Sequence, residues 1–598
     1  MNKKVFSFLF LIPTAIVSLA GCNKSGESYN DNTGWIGDGE AYNEIEDEEV
    51  DEISVFKNDW ANFNVARQTN SPVYKKLKEK IGVDIEAVNS SASTWENQET
   101  LMQAGGTLPN IFLTNGPDNS YLFNKFIQNG DLLPISDWVS EAHYPHIYEY
   151  LKQYNYMRKN IHYSHGKLWY IPSTWHNEKS LYVRKDWVEN LNAKLDTILV
   201  KEGVVNSASE ITDQIREQYK YKLPTTLLEF YRLARGFTLY DPDNNGNNDT
   251  YGYASESNKD MDAWVYIAYG AGWDQFIKDS DGSYTYTDVA DGSKYATAFI
   301  ARMINEGYMS IDSLNLDMDG KQNKLMTNSA GMVLAHNWYT NFASALMENN
   351  KWTAEQVREK LVMIEPPAGE TGLHGCHGQD TTWQGFCINA NMSNSRIRKC
   401  LEFYDYLLSD EGYELLKYGV EGVHFTKNED GSFKESLLPV DEKTGLATDL
   451  RYVDSATFLY ALVEWTMQYK TECINFSDIV IPRERISERS SSFSDYPALT
   501  TDEYVEYFDD AHKYFLEQIV KLEKDDIAAW DKEDKNINWK TFSWEDLKTL
   551  PKVFENKWKS IVKTYKTNYN GQAFLDAFNR RIQNEDVIKV DPSTYVFR

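Results

Sequence analysis

Ile53-Ser54-Val55-Phe56, Gly82-Val83-Asp84-Ile85-Glu86-Ala87-Val88 and Leu108-Pro109-Asn110-Ile111-Phe112-Leu113-Thr114 are three short runs rich in β-branched and aromatic residues. Their composition and length predict strands. Between the first two, Pro72 to Lys80 sets Val73, Tyr74 and Leu77 on one helical face, and Thr94 to Ala104 supplies a second helix before the third run. Another helix, Tyr121 to Gln128, is stopped by Gly130. Strand and helix in alternation predict an α/β lobe with a largely parallel sheet. Ligands of such sheets sit outside the carboxyl ends of the strands. The loops Asn58 to Trp60 and Asn115 to Asn119 follow the first and third strands and are candidate site positions.

Outward from this stretch, 598 residues exceed what one core supports, so two or more lobes are expected. Past Ser393 the pattern turns mostly helical, through Arg396 to Leu408, Ala456 to Tyr469, Asp502 to Lys521, Phe542 to Val562 and Gly571 to Gln583. Aromatics at helical spacing there, such as Tyr504, Tyr507 and Phe508, read as core. Lys and Arg number 61 against 90 Asp and Glu, a formal charge of −29. Neutralising phosphates needs a basic face, so nucleic acid is excluded as a partner. Seventeen Trp, 39 Tyr and 27 Phe suit stacking surfaces as well as cores.

At the start of the chain, Lys3 and Lys4 precede a mostly apolar run, Val5 to Ala20, that is short for a membrane span and reads as a signal-peptide core. It ends Leu19-Ala20-Gly21-Cys22, small residues placed before a cysteine, as in a bacterial lipoprotein signal. The expectation is a signal peptide over residues 1–21 and a lipid (palmitate) anchor on Cys22, which leaves a soluble body at the outer face of the cell membrane. Residues 22–52 are rich in Gly, Ser, Asn and acids and predict a flexible acidic tether. Cys376, Cys387, Cys400 and Cys473 are left; they allow two disulfides in three pairings, or free thiols. His374-Gly375-Cys376-His377 lacks the paired ligand units of a zinc site.

The sharpest local motif begins at a helix opened by Thr226 and Glu229, a capping box, with Leu227, Phe230, Tyr231 and Ala234 as an apolar stripe. That helix runs into Asp241-Pro242-Asp243-Asn244-Asn245-Gly246-Asn247-Asn248-Asp249-Thr250-Tyr251-Gly252. Oxygen-bearing side chains stand at positions 1, 3, 5 and 9 and glycine at 6; Asn247 at position 7 offers its backbone carbonyl. This is most of an EF-hand calcium loop. Gly252 at position 12 replaces the usual bidentate glutamate, so another group or water must complete the shell. A structural Ca²⁺ ion held by Asp241, Asp243, Asn245, Asn247 and Asp249 is the expectation.

Further segments carry a resemblance. They are Leu108-Pro109-Asn110-Ile111-Phe112, Gly130-Asp131-Leu132-Leu133-Pro134-Ile135, Gly166-Lys167-Leu168-Trp169-Tyr170-Ile171-Pro172 and Leu181-Tyr182-Val183-Arg184-Lys185-Asp186-Trp187. After the Asp241 loop come Ser329-Ala330-Gly331-Met332 and Tyr418-Gly419-Val420-Glu421-Gly422-Val423-His424-Phe425-Thr426. In this order and behind a lipobox, the chain resembles the extracellular solute-binding lipoproteins of ABC importers, in the long oligosaccharide-binding group of Gram-positive bacteria. Asn110 stands where that family usually has an acid.

The resemblance implies an α/β, two-lobed periplasmic-binding-protein-like fold (type II) with a helix-rich C-terminal extension. It places hinge crossings near Asn177 to Leu181, Met332 to His336 and Asn389 to Ser393. Lobe 1 would then comprise residues 53–178 with 333–390, and lobe 2 residues 181–331 with 393–598, including the calcium loop. It implies a monomeric binding subunit, not an enzyme, that clamps an oligosaccharide and hands it to membrane permease subunits. Sugar sites combine aromatic plates with polar side chains. The candidates are Trp264, Trp338 and Trp383, then Trp60, Trp175 and Trp273, with Asp59, Asn115 and Asp262 as polar partners. Two rivals remain: a peptide or signal receptor on the same fold, and a lipid-anchored glycan-degrading enzyme. The second needs a pair of carboxylates, which 90 acids supply without meaning.

Overall fold

A computed structural model describes residues 48–59, 70–91, 95–115, 121–153, 167–172, 179–279, 281–336, 338–377, 384–448, 450–454, 491–492, 501–525 and 537–584. The expected signal peptide, Cys22 and most of the tether lie outside these residues. Among the described residues no helix is long and apolar enough to cross a membrane.

The first twelve strands among the described residues are β1 (Glu52–Asp59), β2 (Asp84–Ser91), β3 (Ile111–Asn115), β4 (Ile171–Pro172), β5 (Ser180–Arg184), β6 (Tyr251–Ala254), β7 (Phe276–Lys278), β8 (Tyr284–Tyr286), β9 (Ala330–Ala335), β10 (Leu361–Ile364), β11 (Cys376–His377) and β12 (Gln384–Ile388). They form two main sheets, ordered β2-β1-β3-β12-β4 and β10-β5-β9-β6.

In the first sheet β1 pairs in parallel with β2 and β3, with Ile53 opposite Ile85 and Phe56 opposite Phe112. The three runs read as strands thus lie side by side. The helix Pro72–Ile81 links β1 to β2 for local reasons. Ser71 accepts the Tyr74 N–H as N-cap, Pro72 starts the first turn, and Gly82 ends the helix at φ 78°. Its apolar face, Val73, Tyr74, Leu77 and Ile81, packs into a core with Phe112 and Phe126.

The second sheet is mixed: β9 runs parallel to β6 and antiparallel to β5. Every residue of β5 and β9 is buried, as continuous apolar runs inside a covered sheet should be. Its core, with Trp187, Phe230, Tyr231 and Trp264, has no residue in common with that of the first sheet. The α/β, two-lobed architecture is therefore present.

The division of the chain between the lobes differs from the expected boundaries. Residues 333–364 belong with the second sheet. β9 continues unbroken to Ala335, opposite Ser180, and β10 pairs with β5. The helix Tyr339–Asn350 buries Tyr339, Phe342 and Leu346 against Tyr182 on that sheet. Met332 to His336 is the end of a doubly paired strand, where the chain does not leave the lobe. It does so between Ile364 and β12, which joins the first sheet opposite β3.

Asn389 to Ser393 is likewise no crossing. Ser393 caps the helix Asn394–Leu408, whose Ile397, Cys400, Leu401 and Tyr404 pack into the first core. The passage from β4 to β5, however, falls at the first expected crossing.

The C-terminal helices Asp502–Lys524, Lys552–Asn568 and Gly571–Asn584 share a core containing Phe515, Trp558, Tyr565 and Phe574. They are not a free appendage. Ala298 and Ala301 of the helix Asp291–Asn305 enter the same core, and Phe276 of β7 stacks on Phe578.

Candidate functional site

The carboxyl end of the first sheet presents Asp59, the last residue of β1, and Asn115, the last of β3, the latter paired with Gln384 of β12. Strand geometry puts both at the edge where ligands of such sheets bind. Trp60, Trp175 and Trp383 lie outside the described residues. Beneath this edge the helix Trp95–Gly105 buries Glu99. Burial pushes its carboxyl up to about 8, with the Thr114 hydroxyl of β3 acting in the opposite sense. The group is largely protonated at neutral pH.

On the second sheet the edge is built differently. The turn after β9 is fixed by the Tyr182 hydroxyl, which donates to the His336 carbonyl and accepts the Trp338 N–H, each at 2.9 Å. Trp338 is half-buried and leans toward the His336 ring. It is the one predicted indole among the described residues that keeps an exposed part.

Three other predicted positions are not on the surface. The helix Ala263–Ala268 is apolar on all sides and buried at every residue. Trp264 is 0% exposed; Phe230 meets its ring edge-on at 4.9 Å, and its indole donates to the Tyr253 hydroxyl at 3.3 Å. Trp273 is closed against Tyr266. Asp262 is 0% exposed and faces Lys259 at 3.4 Å. These are core groups, and the expectation that they meet ligand is corrected.

The residues that do occupy this edge were not foreseen. Glu256, just past β6, pairs with Lys321 at 2.7 Å, and Lys259 pairs with Glu523 at 2.6 Å. All four are buried, with Lys179 before β5 and His336 after β9. Burial pushes the Glu523 carboxyl up to about 7 and lowers the Lys321 ammonium. Glu523 comes from the last turn of Asp502–Lys524, so the C-terminal extension reaches under the sheet's carboxyl end. A polar stretch after β6 was the only sequence signal, and nothing pointed to Glu523.

The Asp241 loop follows the end of the helix Leu227–Leu239, which the predicted capping box of Thr226 and Glu229 opens. Asp241, Asn244 and Gly246 take positive φ of 45°, 60° and 89°, which closes the turn. The Gly246 N–H donates to Asp241 Oδ1 at 3.2 Å. The Asn245 amide bridges two carboxylates, donating to Asp243 at 2.9 Å and Asp249 at 3.1 Å. Lys194 donates to the Asp241 carbonyl at 2.5 Å and lies 3.3 Å from its Oδ2. Burial first, then the Asp241 and Asp249 charges, raise the Asp243 carboxyl.

Gly252 belongs to β6, where a Cβ would fall 2.3 Å from the Ala234 Cα, so no acid fits at position 12. Among the described residues no three His, Cys, Asp or Glu side chains gather closely enough to hold a metal. Cys387 and Cys400 are free, buried thiols, and Cys376 is buried with its Sγ 3.6 Å from the Lys179 carbonyl; Cys473 lies outside the described residues.

Comparison with known proteins gives this arrangement its context. The chain is 24% identical over 441 residues to the polygalacturonan/rhamnogalacturonan-binding protein YtcQ of Bacillus subtilis (strain 168), covering 72% of this chain and 78% of YtcQ. It is 21% identical to the lipoprotein LipO of the same organism, covering 63% and 69%. Among solved structures, the S. pneumoniae ABC-transporter substrate-binding protein FusA in complex with kestose superposes with a TM-score of 0.51 at 15% identity. That superposition covers 89% of this chain and all of FusA. An EF-hand mutant of FusA matches at 0.50 and 13% identity, with 89% and 100% covered. YtcQ and FusA are binding proteins by name. The family model for bacterial extracellular solute-binding proteins matches residues 61–414, running through both sheets. With more than half of its length matched, the chain belongs to the bacterial extracellular solute-binding protein family.

Proposed function

We propose that this chain is the lipid-anchored substrate-binding subunit of an ABC importer, which captures an oligosaccharide between its two lobes and delivers it to a membrane permease. The observation that carries the reading is the family match through two separately packed α/β lobes. Relatives that bind polygalacturonan and kestose by name support a carbohydrate ligand. The lipobox ending in Cys22 and the lipoprotein relative support anchoring at the outer membrane face. Ligand contacts from both lobes would favour a closed form over an open one. Trp338, Asp59 and Asn115 are the contacts proposed at the two sheet edges, joined by Trp60, Trp175 and Trp383. Isothermal titration with a panel of pectic and fructan oligosaccharides tests this. One-site saturation with the sugar recovered intact supports it; turnover, or binding of peptides alone, contradicts it.

The Asp241 loop is proposed as a structural Ca²⁺ site. Its donors, the carboxylates of Asp241, Asp243 and Asp249, the Asn245 amide oxygen and the Asn247 carbonyl, are the hard oxygens that calcium takes. Bound calcium would tie the helix Leu227–Leu239 to the start of β6.

A further inference from the structure

Lys194 occupies the junction between the helices Lys185–Ala193 and Leu195–Lys201, with its own N–H donating to the Leu191 carbonyl. A residue held at both sides in this way presents its side chain from a fixed base. Its ammonium reaches the last turn of another helix, 3.3 Å from the Tyr240 carbonyl and 2.5 Å from the Asp241 carbonyl. It also lies 3.3 Å from Asp241 Oδ2, the carboxylate that opens the calcium-type loop. That loop carries three aspartates along its sequence, and the other donors shown within it to their carboxylates are neutral amides of Asn245 and Gly246. Among the described residues, Lys194 therefore carries the full positive charge shown in contact with the loop's first ligand position.

We propose that Lys194 is a resident counter-ion of the Asp241 loop, in competition with a divalent cation. The idea rests on the reading of this loop as a calcium site. Lys194 neutralises Asp241 and satisfies two carbonyls at the helix end, so the loop keeps its path without metal. A Ca²⁺ ion arriving at Asp241 meets a fixed ammonium within about 4 Å of its first ligand, and like charges at such range oppose binding. The missing carboxylate at position 12 removes a second source of affinity. The loop is then a weak site, filled at extracellular calcium levels and empty when calcium is scarce.

Titration of CaCl₂ into the chelator-treated full chain, followed by calorimetry, tests this with three proteins: wild type, Lys194→Gln and Asp243→Asn. Lys194→Gln should bind Ca²⁺ on the order of tenfold more tightly than wild type, because the competing charge is gone. The melting temperature of Lys194→Gln should also fall more on chelation than that of wild type. Asp243→Asn should lose the heat, which assigns it to this loop. Equal or weaker binding by Lys194→Gln overturns the role of Lys194 and leaves the calcium site standing. Absence of Ca²⁺ binding in both wild type and Lys194→Gln, or a heat that survives Asp243→Asn, overturns both.

Discussion

The carboxyl ends of the two sheets solve one problem in opposite ways. Beneath the first, a single buried acid, Glu99, is held protonated by an apolar surround. Beneath the second, acids and lysines are buried against one another, Lys321 with Glu256 and Lys259 with both Glu523 and Asp262. The first solution needs one helix and one strand. The second collects residues from the loop after β6, the 3-10 turn Lys259–Asp262, the helix Met318–Met326 and the C-terminal extension, so the second lobe's edge is locked to a part of the chain more than 250 residues away. The lesson is that the C-terminal helices serve as structural backing to the second lobe. The oxygens Asp262 Oδ1 and Glu523 Oε1 have no hydrogen-bonding partner among the described residues, which makes Lys259 the main compensation for both charges.

Breaking that lock gives the largest expected effect. Lys259→Met leaves two carboxylates buried without their cation and should cost about 3–5 kcal/mol at pH 8, read by urea unfolding. At pH 6 the loss should be smaller, since Glu523 can take up a proton near 7. An equal loss at both pH values would remove the charged character of this edge.

On the first lobe the sharper tool is pH. The unfolded chain releases the Glu99 proton near 4.5, whereas the fold retains it to about 8. Stability should therefore decline as pH rises across that window, by about 1.4 kcal/mol per unit. Glu99→Gln removes this slope, so over two pH units the variant and wild type should diverge by roughly 2–3 kcal/mol, the variant being favoured at the higher pH. Parallel pH profiles would show that Glu99 ionises freely.

A third test concerns the strand that feeds the charged edge. Gly252→Ala drives a Cβ into the Ala234 backbone and should destabilise by about 1–3 kcal/mol, measured as a lowered melting temperature. If the variant melts like wild type, the close approach that excludes an acid from position 12 is not rigid.

The smallest effect lies where the extension docks. Asp288, fully buried, holds His512 at 3.0 Å; burial alone would lower the imidazole pKa, but the carboxylate outweighs it and raises it to about 8. The raised value adds stability in full below about 6.5, and this is lost as pH climbs through 8. His512→Gln should flatten that dependence by about 1–2 kcal/mol.

How much of this was legible follows the same contrast. The first lobe could be read because its strands and linking helices are consecutive and amphipathic. Ser71, Pro72 and Gly82 mark one helix end to end. The capping box at Thr226 and Glu229 was equally plain, being a matter of three residues. The lobe boundaries were misplaced because β9 and β10 pair with β5 by long-range register, which no local pattern encodes. Trp264 and Trp273 misled for a related reason. A tryptophan looks the same in sequence whether it faces a cleft or a core, and only the burial of Trp264 and Trp273 in the structure distinguishes them. Glu523 was invisible, since one acid among many in a polar helix acquires meaning only from Lys259.

The most direct test of the whole account is small-angle scattering of the full chain with and without a saturating oligosaccharide from the binding panel. Two lobes that close on an unaltered sugar predict a smaller radius of gyration at unchanged molecular mass, reversed when the ligand is dialysed away. Superimposable curves at proven saturation, or a sugar recovered in shorter pieces, would contradict it.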